Sequence, residues 1–157
     1  MDIEQLLTPD RIHCASGIDD KEQVLQHIGE LIGAADTNLA TGEVSSRLLA
    51  RERLGSTGLG HGVALPHARI EGIERAIGAL IRLDEGIEFD AFDKAPVDLL
   101  FALVVPEHFT DEHLQILAAL AEMFSDAALC ERLRNAGEEA ELFAALREWQ
   151  AQSDPST

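Results

Sequence analysis

Between Asp19 and Ala34 the apolar positions recur at helical spacing, so that Val24, Leu25, Ile28, Leu31 and Ile32 share one face. This predicts an amphipathic helix, with Asp19 and Glu22 in capping-box spacing at its start. A second helix is predicted from Thr41 to about Arg53, with Val44, Leu48 and Leu49 inward, ended by Gly55-Ser56-Thr57-Gly58. The pattern then changes character. Ala76 to Leu83 and Val97 to Val105 are short apolar runs that predict strands, and the second is so continuously apolar that it suits the centre of a sheet. Between them Glu88 to Pro96 is loop, with the proline marking entry to the second strand. Thr110 is placed to cap a helix through His113, Leu114, Ile116, Leu117, Leu120, Ala121 and Phe124. Ser125 or Asp126 caps a short one through Leu129 and Leu133, and Glu138 to Trp149 forms the last. Helices therefore bracket a small apolar sheet, an α/β arrangement in layers.

Composition narrows this to a single globular unit. The 157 residues suit one domain, expected over residues 1–150 with a flexible tail at 151–157, and no internal repeat is visible. Hydrophobic residues make up 46% of the chain, yet no apolar run approaches the roughly 18 residues a membrane span needs, so no membrane insertion is expected. The acidic start Met1-Asp2-Ile3-Glu4 lacks the pattern of a secretory signal, and the expected compartment is the cytoplasm. Cys14 and Cys130 lie far apart in no ligand-like cluster, as small buried hydrophobes do. A formal charge of −17, from 29 acidic against 12 basic residues, repels phosphate backbones and argues against a nucleic-acid partner.

The segment Gly58-Leu59-Gly60-His61-Gly62-Val63-Ala64-Leu65-Pro66-His67 carries three glycines and two histidines, the second fixed by the proline before it. The alternating glycines match neither GxGxxG nor a P-loop, which excludes the familiar nucleotide cradles. Ser56 has no GxSxG elbow around it, and acyl transfer is unsupported. His61 and His67 stand six apart across Pro66, a spacing unsuited to chelation, and no metal or other cofactor is expected. What remains is His67 as a nucleophile: a neutral imidazole can accept a phosphoryl group and pass it on. Such chemistry needs a fixed ring, donors for the phosphoryl oxygens, and a second proton donor. Pro66, the loop Ser56, Thr57, Gly58, Gly60, His61 and Gly62, a guanidinium such as Arg51, and His113 in the first turn of its helix could fill these parts. Spacing alone favours a plainer account of the distant members, His113 as a packed helix histidine and Arg51 as one of the helix charges Arg47, Arg51 and Arg53.

Arg51-Glu52, the run Ser56 to His67, Phe89-Asp90, Pro96 to Leu103 and His113-Leu114 together resemble the IIA family of the phosphoenolpyruvate-dependent phosphotransferase system, fructose/mannitol class, and most of all its nitrogen-regulatory branch. The resemblance spans roughly residues 3 to 148. It implies a small mixed β-sheet flanked by helices on both faces. It also implies that His67 accepts a phosphoryl group through Nε2 from a phosphorylated carrier of the HPr type, that His113 assists and helps hold it, and that Arg51 lies near the phosphohistidine. The regulatory branch implies a phosphocarrier whose state controls partners such as sensor kinases or potassium transporters, without metabolic turnover. A sugar-specific IIA component, or an interaction protein indifferent to phosphorylation, are the alternatives. His61 stands where relatives often carry a small polar residue such as asparagine, which is expected to put an extra imidazole beside the site. Ala68-Arg69 stand where glycine and lysine are common.

Overall fold

The computed structural model describes residues 1–36, 38–108 and 111–153. In chain order these form α1 (Ile3–Leu6), a 3₁₀ turn (Pro9–Arg11), β1 (Ile12–Ala15), α2 (Lys21–Gly33), α3 (Thr41–Leu54), β2 (Gly58–Gly60), β3 (Val63–Ala64), β4 (His67–Ile70), β5 (Ile77–Ile87), β6 (Val97–Pro106), α4 (Asp111–Phe124), α5 (Ala127–Asn135) and α6 (Glu139–Ser153). The sheet runs β1-β5-β6-β3-β2, and β4 follows β3 along the same edge of β6. β1 is parallel to β5, β5 antiparallel to β6, and β3 and β4 parallel to β6, so the sheet is mixed as expected.

Both faces of β6 are covered, which explains its unbroken apolar run. Leu100, Ala102 and Val104 join α2 and α3 in one core, while Leu99, Phe101, Leu103 and Val105 join α1, α4, α5 and α6 in the other. Gly78 sits opposite Leu103 in the antiparallel pair because a side chain there would drive into the Phe101 ring, 2.9 Å away. The layer architecture is thus a sheet between two helical layers.

Local structure departs from the sequence pattern at a few points. The cap of α2 is Asp20, one residue later than expected, where its side chain accepts from the Gln23 amide. Gln23, rather than Glu22, reaches back across the cap, but it accepts from the Asp19 amide before the cap, so the pair is not a reciprocal capping box. Asp126 is the cap of α5. The predicted cap Thr110 lies outside the described residues. β5 runs on to Ile87 through a register shift after Arg82. α6 continues to Ser153, into the segment expected to be tail, because Gln150 ties its last turns to the N-terminus: the Ile3 amide donates to Gln150 Oε1 at 2.8 Å and Gln150 Nε2 donates to the Met1 carbonyl at 2.7 Å. Residues 154–157 lie outside the described residues. No helix among those described is long and apolar enough to cross a membrane.

Candidate functional site

His67 opens β4, paired with Leu103, immediately after a two-residue break in the edge strand. Pro66 lies in that break, where a missing amide hydrogen costs no ladder bond, and its carbonyl accepts from the Leu103 amide at 2.9 Å. The break turns the Leu65 carbonyl back toward the ring, and His67 Nδ1 lies 2.7 Å from it. A carbonyl can only accept, so in the neutral ring the hydrogen sits on Nδ1 and the lone pair is left on Nε2. Burial pushes the half-buried ring's pKa down, the bond to Leu65 pushes it up, and Arg51 lowers it further against an opposing effect from Glu52. The net direction is downward, which keeps the ring neutral and nucleophilic near pH 7.

The second helical layer brings in His113, from the first turn of α4. Its ring centroid is 5.6 Å from that of His67, with the planes inclined by 54°. His113 is only 7% exposed, and its Nδ1 is buried with no hydrogen-bond partner among the described residues. Burial, then His67, then Arg69 lower its pKa. Arg51 comes from the last turn of α3, where Nη1 donates to the Gly55 carbonyl at 2.8 Å and satisfies the helix end. Ser56, Thr57 and Gly58 lead from that helix end into β2 and are held in place: Ser56 Oγ donates to the Phe89 carbonyl at 2.8 Å and accepts from the Gly58 amide at 3.1 Å. Cβ atoms leave no room at Gly58, where one would lie 2.8 Å from that of Ala91.

Gly60, His61 and Gly62 belong to a different place. The segment read from sequence as a pliable loop is a tight hairpin of β2 and β3, and these three residues make its tip with φ of +90°, +56° and +82°. The tip is fastened from two sides. The His61 amide donates to Asp93 at 2.9 Å, and the His61 carbonyl accepts from Arg134 Nη2 at 2.7 Å. Arg134 Nε and Nη2 also hold Asp98 at 2.9–3.1 Å. A side chain at Gly62 would meet that guanidinium at 2.5 Å. The tip lies beside Asp98, five residues before Leu103, so strand geometry sets it about 16 Å from His67 along β6. The expected extra imidazole beside the site is therefore not there. His61 occupies a left-handed position, for which histidine is among the few tolerated non-glycine residues.

Two clusters escaped sequence reading. One is the buried Glu52 with Thr57 and Lys21, taken up below. The other is His13 on β1 against His27 on α2: the rings stack at 4.7 Å, and Nδ1 of His13 and Nε2 of His27 are 2.5 Å apart, close enough to share a single hydrogen. Their partners are 14 residues apart in sequence, at no helical or strand period. Burial first, then His13, lower the His27 pKa, with Glu30 acting in the opposite sense. The folded state therefore binds a proton later than the unfolded chain, and stability is lost as pH falls below the ordinary histidine value of 6.5. Between pH 7.5 and 5.5 the thermal midpoint of His27→Gln is expected to depend less steeply on pH than that of the unsubstituted protein. Equal slopes in a thermal melt series would contradict this.

Residues 5–149 match the family described as phosphoenolpyruvate-dependent sugar phosphotransferase system, EIIA 2. The chain belongs to this family. A nitrogen regulatory protein of Pseudomonas aeruginosa is 43% identical over 134 residues, which cover 85% of this chain and 87% of that protein. The crystal structure of nitrogen regulatory protein IIA-Ntr from Neisseria meningitidis is similar with a TM-score of 0.85 and 40% identity, over 92% of this chain and 98% of that one. IIA mannitol from Escherichia coli shares the fold at a TM-score of 0.74, over 89% of this chain and 98% of that one, but only 22% identity. As an EIIA family member the chain has a phosphocarrier's place in phosphoryl transfer.

Proposed function

We propose that this EIIA protein accepts a phosphoryl group at His67 Nε2 from a phosphorylated carrier of the HPr type and regulates partner proteins through its phosphorylation state. The observation that carries this reading is the bond from Nδ1 to the Leu65 carbonyl, which leaves one nucleophilic nitrogen on a ring held neutral beside His113 and under the influence of Arg51. The phosphorus is attacked by the Nε2 lone pair, the bond from phosphorus to the donor's nitrogen breaks, and the donor ring keeps that electron pair. Arg51 and the Ser56 amide are the groups available to offset the phosphoryl charge, since the Thr57 and Gly58 amides are engaged by Glu52 and Ser56 Oγ. In this proposal Gly60, His61 and Gly62 support the hairpin and leave phosphate contact to the residues nearer His67.

Relatives named nitrogen regulatory proteins favour nitrogen regulation over delivery to a sugar transporter; the partners in this proposal are cytoplasmic or cytoplasm-facing proteins such as sensor kinases or potassium transporters. A phosphoryl group adds about −1.5 to −2 charges at pH 7, enough to make or break a docking face around His67. The test is capture of partners from cell extract by three forms: unsubstituted protein incubated with phosphorylated donor, His67→Ala and His67→Glu. The captured set is expected to differ between the phosphorylated form and His67→Ala. Identical sets from all three would replace this reading with that of a phosphorylation-independent interaction protein.

A further inference from the structure

Glu52 is the residue of this fold whose burial most needs a reason. Its side chain is 1% exposed, one position from Arg51 on α3, in a chain whose net charge is already −17. Removing a carboxylate from water is costly, and an apolar residue of similar volume fills such a space at no electrostatic expense. Three donors converge on it instead. Lys21 Nζ, from the first turn of α2, lies 3.1 Å from Oε2, with its charge also 4.4 Å above the Phe89 ring. The Thr57 amide donates to both carboxylate oxygens, at 3.2 and 3.3 Å, and the Thr57 hydroxyl donates to Oε1.

The connections continue from Thr57 to the reacting ring. The Thr57 carbonyl accepts from the Leu65 amide at 3.0 Å, and the Leu65 carbonyl accepts from His67 Nδ1 at 2.7 Å. One hydrogen-bonded line thus runs from Lys21 through Glu52, Thr57 and Leu65 to His67, crossing two helices, the entry to the hairpin and the edge strand. Each link fixes the peptide that makes the next, and the last link decides which ring nitrogen carries the hydrogen.

We propose that Glu52 is a positioning residue for His67: by anchoring Thr57 it holds the Leu65 peptide where its carbonyl binds Nδ1–H, and so keeps Nε2 as the free, phosphoryl-accepting nitrogen. The proposal rests on the reading of His67 as acceptor, but its primary measurement does not involve phosphorylation. Glu52 also acts directly on the ring, favouring its protonated form against Arg51. That effect is secondary to the geometry.

The test reads the His67 tautomer by two-dimensional NMR of the ring nitrogens at pH 8, in the unsubstituted protein, Glu52→Gln, Glu52→Ala and the double variant Lys21→Met/Glu52→Leu. The double variant replaces the ion pair by apolar volume and guards against loss of fold. The unsubstituted protein is expected to show a single Nδ1–H form. Glu52→Gln keeps an acceptor for Thr57 and is expected to retain that form, whereas Glu52→Ala and the double variant show a mixture with the Nε2–H form. Phosphoryl acceptance at Nε2 should then fall in proportion to the fraction of rings that keep the hydrogen on Nδ1. A double variant that folds and keeps a single Nδ1–H form would overturn the proposal, even if His67 is phosphorylated. Conversely, a protein never phosphorylated by the donor would end the functional reading while leaving the tautomer result to stand.

Discussion

His67→Ala is expected to take up no phosphoryl group under conditions in which the unsubstituted protein takes up one. The argument rests on nitrogen inventory. In His67 only Nε2 has a free lone pair, since Nδ1 donates to Leu65. The neighbouring His113 is 7% exposed, too enclosed to meet a donor protein's phosphohistidine in line, so it is not a substitute acceptor. His61 stands at the hairpin tip beside Asp93 and Arg134, and the His13 and His27 nitrogens are engaged with each other on β1 and α2. The modification should be stable in base and lost in acid, as a phosphoramidate is, and mass spectrometry should place it on one histidine. His67→Asn, whose amide nitrogen takes the place of Nδ1, is the companion variant. Its side-chain amide can still donate to the Leu65 carbonyl, so its thermal midpoint should stay within a few degrees of the unsubstituted protein while acceptance is lost. Phosphoryl incorporation into His67→Ala, at any position, would remove His67 from the acceptor role.

The long elements were legible because their burial is local in origin. α2, α3 and β6 each present a periodic apolar pattern that packing then satisfies: Val24, Leu25, Ile28 and Ile32 are buried on α2, and residues 97–106 of β6 are buried at all but one position. β1, β2, β3 and β4 are four residues or fewer; β1, β3 and β4 pair with β5 or β6 far along the chain, and β2 is held through β3. Short strands of that kind leave no period of their own, which is why Gly58 to His67 looked like a flexible loop when it is a fastened hairpin followed by a strand. The fasteners were invisible for the same reason. Arg134 and Asp98 are 36 residues apart, and Glu52 gains its meaning from Lys21, 31 residues away, and from Thr57 across a turn. The site residues themselves divide along this line. His67 and the glycines around it could be singled out by composition, and the family resemblance reached Arg51 and His113. The closeness of His113 to His67 is a tertiary fact without a local signature.

His113→Leu is expected to slow phosphoryl transfer through His67 by about 10², the scale of one lost proton donor or electrostatic contact at a reacting phosphoryl group, while the protein stays folded. Stability should be little affected because the buried Nδ1 has no partner among the described residues, and an orphaned polar atom is itself unfavourable by about 1–3 kcal/mol. An apolar side chain of similar size removes that burden. In the proposed function the imidazole serves the phosphorylated state. There the electrostatics reverse. In the unmodified protein burial, His67 and Arg69 all push the His113 pKa down, so the ring is neutral near pH 7. A phosphoryl group on His67 places negative charge against the same ring and favours its protonated form. Phosphorylation should thus be accompanied by proton uptake at His113, and an NMR titration should find its midpoint at higher pH in the phosphorylated protein than in the unmodified one. Arg69 lowers the His113 midpoint, so Arg69→Gln should raise it in the unmodified and the phosphorylated protein alike. A His113 midpoint that stays put or falls on phosphorylation, or a His113→Leu variant that transfers at the unsubstituted rate, would return this histidine to a packing role.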